Sequence, residues 1–129
     1  MLIDTRNGKY QVGEKWKFNS RAGEENATLT VLKVESNAGL GVVVHVRVEG
    51  VRIKNTRAPH GISETIAHMP FSEAAIQKSV TELVASDVPL PEFAEGYREW
   101  RAAFDDNKAG VFTVTVWEGV DFMETALNQ

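Results

Sequence analysis

The chain has 129 residues, 43% hydrophobic and 25% charged, with ten Gly, four Pro and no Cys. That is chain enough for one globular domain burying roughly two-thirds of its unfolded surface. The lack of Cys excludes a disulfide framework, a thiolate zinc site and a cysteine nucleophile. The formal net charge of −4 argues against a nucleic-acid partner, because phosphate contacts need an excess of Lys and Arg.

The first residues lack the apolar core of a secretory signal. No apolar run approaches the ~20 residues that span a bilayer. A soluble, cytoplasmic protein with no membrane partner is therefore expected. Charge is unevenly spread: residues 1–64 carry a net +3 and residues 65–129 a net −7. Either Arg-bearing strands precede Glu-bearing helices, or the folded surface is polarised.

Residues 10–18 read as a strand broken by Gly13, and residues 21–26 as a polar loop. Residues 28–35 form a second strand, and Ser36-Asn37-Ala38-Gly39 has turn chemistry. Residues 42–48 are the clearest strand, with Val42, Val44, Val46 and Val48 alternating against Val43, His45 and Arg47. The alternation slips at Glu49-Gly50, because the next apolar positions are Val51 and Ile53. A tight hairpin there would set Arg47 opposite Arg52 and His45 opposite Lys54, which is unfavourable. A bulge remains, or an anion held between them. Either way Arg52 and Lys54 join the face of His45 and Arg47.

Residues 55–61 are loop-like, and 65–69 are a short strand or a helical turn closed by Pro70. Ser72 is a good N-cap, and Phe71 can staple onto Ile76. Ile76, Val80, Leu83 and Val84 then make a helical stripe ended by Val88-Pro89-Leu90-Pro91. The next helix carries Phe93, Tyr97, Trp100 and Phe104 as an aromatic stripe, read as core rather than as a pocket. Gly96 within it costs about 1 kcal/mol relative to Ala, which close approach of a neighbour or a ligand would explain. Asn107 or Gly110 can cap its end. Residues 111–116 read as a strand and 118–127 as a closing helix. The expected fold is α+β: a single domain, 1–129, with a mostly antiparallel sheet of about five strands. An N-terminal meander is covered on one face by three helices, two consecutive and one C-terminal.

Motif chemistry is sparse. His60, Glu64 and His68 have a metal-like spacing, but a regular element sets the two histidines about 12 Å apart on a helix or about 26 Å on a strand. No metal site is therefore assigned; Glu64 and His68 remain weak candidates if His45 joins them from a neighbouring strand. Gly39-Leu40-Gly41 precedes a strand, so it is a hairpin turn and not a dinucleotide fingerprint. Gly61-Ile62-Ser63 lacks the context of a nucleophile elbow. Glu92, Glu95 and Glu99 read as a solvated helix face. No catalytic residue and no cofactor is assigned.

The group that converges through one pattern is basic: His45, Arg47, Arg52 and Lys54, with Arg57 and His60 in the following loop. It suits an acidic protein partner or an anionic small ligand. The leading expectation is a non-enzymatic interaction protein, like toxin-neutralising immunity proteins in size and charge only. The alternative is a small-ligand-binding protein or metal-assisted hydrolase with its site where sheet and helices meet.

Overall fold

A computed structural model describes residues 2–6 and 8–129; Met1 and Asn7 lie outside the described residues. Among the described residues six strands run β1 (Ile3–Asp4), β2 (Lys15–Phe18), β3 (Thr28–Asn37), β4 (Gly41–Lys54), β5 (Ile62–Ser72) and β6 (Val80–Ala85). The helices are α1 (Glu73–Ser79), α2 (Ala94–Asp105) and α3 (Val116–Leu127). The strands form one antiparallel sheet in the order β5-β4-β3-β2-β6, with β1 also pairing with β3. This is the expected α+β class with its N-terminal meander.

The β3–β4 hairpin closes on Asn37, whose side-chain oxygen accepts from the N–H groups of Gly39 and Leu40. These local bonds satisfy two backbone N–H groups within the turn itself. Strand β4 then runs straight through Glu49-Gly50 as a bulge. Its register to β5 shifts between Glu49↔Thr65 and Ile53↔Ser63, and Gly50 has φ +81°. The extra residues return Val51 and Ile53 to the core.

Several expected elements come out differently: the strand expected at residues 10–18 begins only at Lys15, after a turn at Val12-Gly13. The helix after Ser72 stops at Ser79, and residues 80–85 are a strand paired with β2. Ser72 does cap α1, accepting from the Ala75 N–H at 3.1 Å. At the other end the Ser79 hydroxyl bonds back to the Ala75 carbonyl and accepts from the Val116 N–H. The Val- and Thr-rich stretch beyond can satisfy the otherwise open edge of β2, and tertiary pairing overrides an apparent helical stripe. Leu83 and Val84 accordingly end up exposed. The strand expected at 111–116 reduces to one parallel bridge, Phe112 to Phe71. Val116 already belongs to α3, because the Glu118 carboxylate accepts from both the N–H and the hydroxyl of Thr115 and starts the helix there.

The main core joins Leu29, Val31, Val44, Val46, Val48, Met69 and Phe71 of the sheet to Ile76, Val116 and Val120. Helix α3 can approach because Gly119 has no side chain: a Cβ there would lie 3.1 Å from Met69 and Phe71 atoms. Helix α2 departs from the expected single covered face and lies across the opposite one, the face of His45 and His68. A Cβ on Gly96 would be 3.3 Å from the His68 Cβ, the close approach that explains a glycine in this helix. None of the α2 residues is fully buried. Its aromatic stripe carries a phenol and an indole that need polar partners, which an aliphatic core cannot supply. No helix among the described residues is long and apolar enough to cross a membrane.

Candidate functional site

Beneath α2 the second face of the sheet is polar. Glu35 comes from β3, His45 from β4 and His68 from β5. Register puts His45 opposite Lys33 and Pro70, and Glu35 two pairs further along, opposite Val43. His45 is 0% and Glu35 2% exposed. Burial of such groups is tolerable only when every polar atom is matched, and here the matching forms a chain. His45 Nε2 lies 2.8 Å from Glu35 Oε1, and His45 Nδ1 lies 2.8 Å from His68 Nε2. The Tyr97 hydroxyl donates to Glu35 Oε2 at 2.8 Å and accepts from Arg101 at 3.0 Å. Trp100 packs edge-on to the His45 ring with centroids 4.9 Å apart, and its indole N–H is tied to the Gly110 carbonyl.

These contacts constrain the proton positions. Burial works to raise the Glu35 carboxyl, but hydrogen bonds from His45 and Tyr97 outweigh it and hold it below its ordinary value. The ionised carboxylate can only accept, so His45 Nε2 carries a proton. The 2.8 Å contact between His45 Nδ1 and His68 Nε2 takes one proton, carried by either ring. Where His68 is the donor, its own Nδ1 is left as an acceptor. Burial first, and neighbouring His45 second, push His68 down to about 4, so its ring is neutral at pH 7. Tyr97 is raised, by burial first and then by its bond to Glu35, which keeps the phenol a donor.

The outer end of this chain reaches a cavity of about 290 Å³ between β5 and α2. His68, Ala67, Phe93 and Gly96 line it together with Glu92, Glu95 and Glu99. The three carboxylates read from sequence as a solvated helix face therefore share a cavity with the terminal histidine. Such a site offers acceptors and negative charge around a small apolar patch.

The sequence-derived basic group is divided. His45 is buried in the polar chain. Arg47 is half-buried beside Glu49, 3.6 Å away. Arg52 and Lys54 are exposed at the end of β4, and their backbone N–H groups donate to the carboxylates of Glu24 and Glu124. Arg57 and His60 are exposed in the loop beyond, His60 with φ +61°. Glu64 is exposed too and lines a separate hollow with Glu24, Glu25 and Arg52. His45 and His68 thus meet without Glu64, and no group of three or more His, Asp or Glu among the described residues could hold a metal ion. Part of the charge difference between the two halves is met internally. Arg21 pairs with Glu24 at 2.7 Å and with Asp121 and Glu124 at 2.9 Å.

Glu35 and Arg101 have no motif that marks them as site residues, and Tyr97 reads as core from its helical spacing. The available signal was the second face of β3, where Lys33 and Glu35 alternate with Val34 beside the strand bearing His45.

Proton linkage gives one expected result. His68 binds a proton near 6.5 when unfolded and near 4 when folded, so acid favours the unfolded chain. Its contribution should be complete above pH 6.5 and disappear as pH falls through about 4. Urea midpoints across pH 7 to 3.5 should fall less steeply for His68→Gln than for the unchanged chain; superimposable slopes would contradict this assignment. Comparison of the chain with protein-family models, curated proteins and solved structures gave no match in any of the three.

Proposed function

We propose that this protein binds a small organic ligand bearing an ammonium or other hydrogen-bond-donating group, in the cavity between β5 and α2. The observation that carries this reading is the buried Glu35–His45–His68 chain ending on a cavity ringed by Glu92, Glu95 and Glu99. A hydrogen-bonded chain polarises its members, so the carboxylate strengthens His68 Nδ1 as an acceptor without placing a charge on the ring. A histidine with its pKa lowered to about 4 is a weak base at pH 7. Its role is to accept a hydrogen bond and select donors, rather than to remove a proton.

Titration calorimetry with small primary amines, alcohols and carboxylates at pH 7 tests this directly. Amines should bind, with a heat independent of the buffer's ionisation enthalpy, and His68→Gln should weaken them about tenfold or more, as expected for loss of a charge-assisted hydrogen bond. Equal affinity in the variant, or a response to none of the amines, would refute the reading.

A second reading rests on Arg52, Lys54, Arg57 and His60. They are exposed on one continuous stretch and make no side-chain ion pair among the described residues. They suit an acidic protein partner, and such binding should disappear at high salt and on charge reversal of Arg52 and Lys54. A complex that survives both changes would exclude these cations as its basis.

A further inference from the structure

The same sheet face carries a second cavity, of about 460 Å³, on the β2–β4 side of the segment leading into α2. Its floor is set by register. Lys15 on β2 pairs with Thr30 on β3, and Thr30 pairs with Arg47 on β4. Directly paired residues point to the same side, and adjacent strands lie about 4.8 Å apart. Lys15 and Arg47 therefore rise from backbones about 10 Å apart with the threonine between them. Both cationic side chains line the cavity. Two long cationic side chains at this spacing can close on one anion placed over the hydroxyl.

The other wall is apolar: Val88, Pro89, Leu90 and Pro91. This wall is pre-formed. The Val88 N–H donates to the Gly13 carbonyl at 3.0 Å, and two prolines restrict the segment that follows. Among the described residues lining the cavity, the one acid is Glu49, 3.6 Å from Arg47 Nε. It offsets one of the two positive charges and leaves the Arg47 terminal nitrogens to a ligand. Lys15 makes no ion pair among the described residues.

We infer that this cavity is a binding site for a small monoanionic carboxylate with an apolar body, held head-first between Lys15 and Arg47 with its body against Val88–Pro91. A site with a net charge near +1 suits a carboxylate better than a phosphate dianion. The apolar wall gives nothing to a bare inorganic anion. This inference is independent of the donor-selective cavity beside His68, because it draws on different side chains and on ligands of opposite charge.

Amide chemical shifts of the full chain, followed during titration with benzoate, hexanoate, inorganic phosphate and benzylamine, provide the test. Benzoate and hexanoate should give saturable shifts at residues 15, 30, 47 and in 88–91, with phosphate weaker and benzylamine silent there. Lys15→Gln and Arg47→Gln should each weaken carboxylate binding about tenfold while keeping the unchanged chain's amide pattern elsewhere. His68→Gln should leave it unaltered, which separates failure here from failure of the amine site. No saturable carboxylate shift, phosphate binding as tightly as benzoate, or undiminished affinity in both variants would overturn the assignment.

Discussion

Replacing His45 with leucine should remove about 3–5 kcal/mol of stability, because it strips a buried carboxylate of its main partner. Glu35 is 2% exposed, and His45 supplies a 2.8 Å bond to its Oε1. Tyr97 would still donate to Oε2, and Arg101 stands 3.6 Å off, but Oε1 would face an apolar side chain. Removing both members of a buried pair costs far less than removing one. The double variant Glu35→Leu/His45→Leu should therefore be more stable than His45→Leu alone. Urea unfolding of the two singles and the double measures this coupling. A His45→Leu loss below about 1 kcal/mol, in the range of an exposed pair, would mean that Glu35 is not ionised in the fold.

The second large effect is expected at Gly50. A Cβ there would sit 2.9 Å from the Ala27 Cα and 3.1 Å from the Asn26 carbonyl oxygen, on a residue with φ +81°. The left-handed backbone alone costs a side-chain-bearing residue about 1–2 kcal/mol. Overlap against backbone adds roughly 1–3 kcal/mol. Gly50→Val should thus lose about 2–5 kcal/mol. Gly61 is the control, with φ +74° and nothing within 4 Å; Gly61→Ala should show only the backbone term. Thermal unfolding with equal losses at both positions would contradict the packing seen at the bulge.

That bulge was legible because apolar alternation shifts phase at Glu49-Gly50 and like charges disfavour a hairpin. The same alternation showed that His45 leaves the main core. It could not show what covers that side: strand periodicity assigns a residue to a face, while the cover comes from a helix fifty residues away. Tyr97 and Trp100 read as core because their helical spacing is apolar, yet one polar atom on each directs α2 onto Glu35, His45 and the Gly110 carbonyl. Residues 80–85 failed differently. Val80, Leu83 and Val84 fit a helical stripe and a strand alike, and the open edge of β2 decided between them. Glu35 looked like any charged residue at a strand's end, because its importance lies in a neighbour ten positions along the chain.

The most direct test of the buried chain is nitrogen-15 NMR of the histidine rings at pH 7, followed through an acid titration. The expected spectrum has His45 and His68 both protonated at Nε2, with His68 keeping a neutral ring until pH approaches about 4. A His68 that gains its proton near the ordinary 6.5, or carries it on Nδ1 at neutral pH, would contradict the hydrogen-bonded order on which the ligand site depends.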